Sequence, residues 1–120
     1  MKSKELNRML LDCFPNLHDQ YYDEVRWQEG DDTGSHIVYG DVLTPYFTKC
    51  IEEKNEIEVV KILNFIEHVL GLNNKYSDEV IAFSVLEGLE NRDAEFSALA
   101  NNYGKLTKNI VDELRNRKRE

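Results

Sequence analysis

The sequence predicts an all-α fold, on three observations. Apolar residues recur at helical spacing through most of the chain. The breaks between those stretches carry the Pro, Gly, Asn and Ser that cap or stop helices. No segment reads as a strand with a partner: His36-Ile37-Val38-Tyr39-Gly40 could be extended, but a lone strand leaves its backbone polar groups unpaired. The 120 residues suit one domain over 1–120, large enough to bury a core without staples. About six helices are expected, as antiparallel hairpins in an irregular bundle, with HEAT-like stacking as one possible form.

Taken in order, Ser3 is placed to cap a first helix carrying Leu6, Met9, Leu10 and Cys13. Pro15 stops it, and Asn16 can cap a second helix with the stripe Leu17, Tyr21 and Val25. Trp27 lies off that stripe near the helix end. Gln28 to Ser35 reads as a loop without packing residues. Ser35 then caps a helix through Ile37, Val38, Val42 and Leu43, which kinks or restarts at Thr44-Pro45 and continues through Phe47, Cys50 and Ile51. The densest apolar stretch follows, as two helices joined by Gly71 to Tyr76. Asn55 and Glu58 form a capping box for the first, whose Ile57, Val59, Val60, Ile62, Leu63, Phe65, Ile66, Val69 and Leu70 cover more than half the circumference. Gly71 is the expected C′ residue. Its partner opens at Ser77-Asp78-Glu79 and turns Ile81, Ala82, Val85, Leu86 and Leu89 to the core. A short helix through Phe96, Leu99, Ala100 and Tyr103 is closed by Gly104, and Thr107 caps a last helix with Leu106, Ile110, Val111 and Leu114. An echo between Ile62–Val69 and Ala82–Leu89 is spaced by only 20 residues, too short for a hairpin repeat, and helical periodicity accounts for it.

Charge is unevenly placed. Residues 12–95 hold 19 acids against 6 Lys and Arg, while both ends are basic, for a net charge of −8. Such a body repels nucleic acid and anionic lipid and steers toward basic partners; it also keeps a protein dispersed. No run approaches the roughly 20 apolar residues of a membrane span, and a cytoplasmic location is expected. Cys13 and Cys50 lack metal-ligand spacing and do not suggest a disulfide framework. His18, His36 and His68 form no zinc motif, Asp31-Asp32-Thr33-Gly34 lacks the spacing of a calcium loop, and no nucleophile or phosphate-binding motif occurs. The expectation is a non-enzyme without metal or cofactor.

Two surfaces stand out. The stretch Asp19–Asp41 mixes aromatic and acidic residues, of which Trp27 and Tyr39 would be anchors and Glu29, Asp31, Asp32 and Asp41 would pair with Arg or Lys on a protein partner. On the partner helix, Val80, Phe83 and Glu87 share the face opposite Val85 and Leu89, as a second packing layer or an exposed patch. Glu67 and Glu87 would sit at the core's edge, each wanting a donor.

Four segments carry a resemblance: Phe14-Pro15-Asn16-Leu17, Tyr39-Gly40-Asp41-Val42-Leu43-Thr44-Pro45, Phe65-Ile66-Glu67 and Val85-Leu86-Glu87-Gly88-Leu89. Over about residues 6–105 the chain resembles small bacterial helical proteins of unassigned function, which are similar to immunity proteins of contact-dependent growth inhibition and other polymorphic toxin systems. The resemblance implies a protein that binds one cognate toxin domain in the cytoplasm, as a monomer in a 1:1 complex, with no catalytic motif to carry over. Together with the charge, it points to a basic nuclease toxin as partner. The alternative is a non-catalytic helical adaptor binding through Val80, Phe83 and Glu87.

Overall fold

The structure, a computed structural model, describes residues 1–90 and 102–119, and those residues form helices and turns only. Six helical rods follow one another: α1 (Ser3–Cys13), α2 (His18–Val25), α3 (35–52), α4 (Glu56–Leu70), α5 (75–90) and α6 (Lys105–Arg119). The Cα radius of gyration is 13.8 Å, against about 13.6 Å for one compact body of this length. The helix expected through Phe96, Leu99 and Ala100 falls outside the described residues.

The core forms around α4. Val59, Ile62, Leu63, Phe65, Ile66, Val69 and Leu70 are all buried, so α4 packs against α3 on one side and against α5 and α6 on the other. Ile57, 84 % exposed, marks its free side. Leu6 and Leu10 of α1 and the Leu17–Tyr21–Val25 stripe close the other end of the same core. Phe14 meets the Phe65 ring edge-on at 5.4 Å, and Tyr39 stacks on Phe65 at 6.3 Å.

Two rods leave the regular α pattern. In α3 the residues Tyr39–Leu43 form a π-helix, and in α5 Val80–Leu86 do the same. Pro45 accounts for the first. It has no N–H, and the wider turn before it lets the Thr44 N–H donate to the Tyr39 carbonyl, so the rod runs on without a restart. Thr44 is therefore not a cap; its backbone is helical. In the second, i→i+5 bonding brings residues five apart onto one side, where a regular helix sets them about 140° apart at 100° per residue. Val80 and Val85, and Ile81 and Leu86, are consequently all buried. The echo between α4 and α5 pairs a regular helix with a π-helical one and is no structural repeat.

The two π segments abut. Gly40 faces Ser84, the Thr44 hydroxyl donates to the Ser84 carbonyl at 2.7 Å, and His36 Nδ1 lies 2.9 Å from Ser84 Oγ. Asparagines do the local capping: Asn55 accepts from the Glu58 amide at 3.3 Å, as expected, and Asn74 accepts from the Ser77 amide at 3.1 Å. The helix therefore starts before Ser77, where the sequence pattern opens it, and Ser77 lies three residues past the cap, inside the first turn of α5. Gly71 stays right-handed, and the left-handed residue of that turn is Asn73, at φ 57°. Ser3, Asn16 and Ser35 cap nothing.

Candidate partner-binding surface

The surface begins with a buried polar residue. Asn7 lies on the core side of α1, fully buried, and its amide donates to the carbonyls of Thr33 (2.8 Å) and Asp31 (3.2 Å). Its Oδ1 accepts from the Ser35 hydroxyl at 2.8 Å. Ser3 Oγ and the Tyr76 hydroxyl, 2.6 Å apart, both face the Ser35 amide. A buried amide left unpaired costs about 1–3 kcal/mol, so this network fixes the segment it touches. The stretch 28–35 is therefore a held turn and not the unpacked loop its composition suggests: Thr33 and Ser35 are buried, and Gly30–Asp32 forms a 3-10 turn. Gly30, at φ 58°, supplies the left-handed residue that a side chain disfavours.

On this platform Trp27 is 70 % exposed and Tyr22 56 % exposed. Glu29, Asp31 and Asp32 are all at the surface. Asp31 is partly engaged, since Tyr21 donates its hydroxyl to Asp31 Oδ1 at 2.6 Å. Burial, then this bond and the Asp31 charge push the Tyr21 hydroxyl well above the usual tyrosine range. Asp41 is exposed on α3 and reaches α2 through Glu24, whose carboxyl is raised by the hydrogen bond with Asp41, by burial and by the Asp41 charge.

Tyr39 does not belong to this surface. It is 0 % exposed, stacked on Phe65, and donates its hydroxyl to the Leu6 carbonyl at 2.7 Å. An aromatic residue at a helical position beside Val38, Val42 and Leu43 is drawn into the core, and its hydroxyl finds a partner there. On the alternative face Val80 is buried as well, because the π geometry turns it inward; Phe83 and Glu87 remain exposed.

The neighbourhood of the turn is less uniformly acidic than the charge distribution suggests. A groove of about 540 Å³ between α1 and α2 is lined by Lys4, Arg8 and Arg26 beside Tyr22 and Asp31. The surface thus carries both signs, with Lys4 and Arg8 from the basic N-terminal segment and Arg26 from the end of α2. Asn7 was the signal for the platform, a single amide on an otherwise apolar arc of α1.

Among the described residues no group of three His, Cys, Asp or Glu is arranged to hold a metal ion. No described helix is long and apolar enough to cross a membrane. Cys50 is buried in the core and its thiol is pushed up by that burial, while Cys13 is exposed. Glu67 finds its donors at the start of α6. It accepts from the Leu106 amide (3.1 Å), the Thr107 amide (2.9 Å) and the Thr107 hydroxyl (2.8 Å). Thr107 is therefore a donor inside α6, and Glu67 caps the helix from α4.

No curated protein and no solved structure matches the chain. One family model, described as a domain of unknown function, matches residues 7–118 and so takes in every element from α1 to α6. The chain belongs to that family, DUF7674.

Proposed function

We propose that this protein is an immunity-type inhibitor that binds a basic, cytoplasm-acting toxin domain, a nuclease in the simplest case, and covers its substrate surface. The observation that carries the reading is Trp27, an indole 70 % exposed at the entry to the turn that Asn7 of α1 pins at Asp31 and Thr33. An indole this exposed contributes little to the fold, and a pre-ordered turn loses little entropy when it binds. Glu29, Asp31, Asp32 and Asp41 flank it for pairing with Arg and Lys, and the net charge of −8 speeds encounter with a basic partner. The reading needs no catalytic group and no cofactor.

Co-purification with the protein encoded immediately upstream tests this. A 1:1 complex is expected, and Trp27→Ala should weaken it by about 2 kcal/mol or more, the range of an interface hot spot. Glu29→Gln with Asp32→Asn should slow association at low salt and matter less at high salt. No complex at micromolar concentrations would remove the reading. The half-exposed Phe83 supports the second reading, an adaptor that binds a cellular protein through α5.

A further inference from the structure

α5 and α6 lie side by side and leave a groove of about 410 Å³ between them, with Lys75, Asp78, Glu79, Phe83 and Arg117 in its lining. Three observations mark this groove. Asp78 Oδ1 is shielded from solvent and has no hydrogen-bond partner among the described residues, and burial pushes its carboxyl up. A shielded acceptor without a donor costs about 1–3 kcal/mol, so such groups mark places where a donor arrives from elsewhere. Phe83 is 46 % exposed, and the Arg117 guanidinium carbon stands 5.9 Å from its ring centroid. That is near the outer limit of about 6 Å for a cation held by a ring face. Lys75 and Arg117 both border the groove, yet among the described residues neither comes within 4.0 Å of a carboxylate oxygen.

We propose that this groove receives an arginine side chain from a basic segment of a partner protein, stacked on Phe83 and donating to Asp78, and that Arg117 is the occupant it displaces. A guanidinium is the group this ring already attracts, and its planar fork can stack and donate at its edge together, which an ammonium does less well. Glu79 adds a second carboxylate at the rim. Displacing Arg117 removes one positive charge from the lining, and the acidic body favours approach of the incoming cation. The groove is separate from the Trp27 turn, and the inference stands whether or not that turn binds a toxin.

The probe is a fluorescein-labelled Gly-Arg-Gly-Arg-Gly-Arg peptide titrated into the full chain at low salt, with the all-Lys peptide as control. Removing the internal competitor in Arg117→Gln should tighten binding about threefold, by the fraction of molecules in which the site was occupied. Asp78→Asn and Phe83→Ala should each weaken it about fivefold or more, and Ile57→Ala, on the free side of α4 and away from the groove, should leave it unchanged. Far-UV circular dichroism confirms that each variant is folded. Looser binding or no change in Arg117→Gln would overturn the proposal, as would an equal gain in Lys108→Gln, which removes the same charge from α6 outside the groove. Equal affinity for the Lys peptide, or loss only in Trp27→Ala, would overturn it too.

Discussion

Glu67 joins α4 to the first turn of α6, where its partner Thr107 lies 40 residues on in sequence. Gly104 precedes α6 and has no side chain to offer the free amides of the first turn; Glu67 reaches across and takes two of them, with the Thr107 hydroxyl. Glu67→Ala should cost about 1–2 kcal/mol, measured by urea unfolding. Gly104→Ala should cost a similar amount, because a Cβ there collides with the Glu67 carboxylate. The two together should cost little more than either alone, since both remove one contact. Burial pushes the Glu67 carboxyl up, but the Thr107 and Leu106 hydrogen bonds outweigh it and leave it below its ordinary 4.5. With the folded value depressed, this contribution is complete above about pH 4.5 and is lost as pH falls through the folded value. Glu67→Gln should remove that part of the acid dependence. The sequence showed Glu67 as a core-edge acid wanting a donor. It hid the donor, because backbone amides have no letter and Gly104 reads as a helix stop.

At the scale of elements, the wheel of 100° per residue succeeded wherever the helix was regular. The Leu17–Tyr21–Val25 stripe lies as the spacing predicts, and so does the arc of α4 except at Ile57 and Val60, which are exposed. It failed where the helix is wider: the wheel sets Val80 opposite Val85, and the π geometry buries the two together. Pro45 announced a disturbance in α3, whereas nothing in Val80–Leu86 signals i→i+5 bonding; that segment lies against the π segment of α3. The contact between the two π segments relies on Thr44, whose hydroxyl donates to the Ser84 carbonyl with the Tyr39 carbonyl at 3.2 Å as a second acceptor. Thr44→Val keeps the shape and removes the donor, and should cost about 1–2 kcal/mol. Gly40→Ala should instead be neutral or stabilising by up to about 1 kcal/mol. Its Cβ would stand 3.8 Å from Ser84, an ordinary contact, and its backbone is helical. Thermal unfolding separates the two outcomes by sign.

For the molecule as a whole, the fold class could be read from the sequence and the surface only in part. Periodicity and punctuation are local properties, and they sufficed for six helices. Exposure is a tertiary property: Trp27 and Tyr39 look alike in a composition, yet one is at the surface and the other is sealed against Phe65. Because Trp27 touches so little, Trp27→Ala should change unfolding free energy by no more than about 0.5 kcal/mol, which makes it a clean probe of association. The network around Asn7 has a practical consequence for anyone handling this protein. The turn that displays Trp27, Glu29 and Asp32 is anchored by side chains from the opening stretch of the polypeptide, Ser3 and Asn7. Trimming the chain ahead of Leu10, or a protease clip there, would leave most of the core in place and unfasten the one feature most suited to recognition.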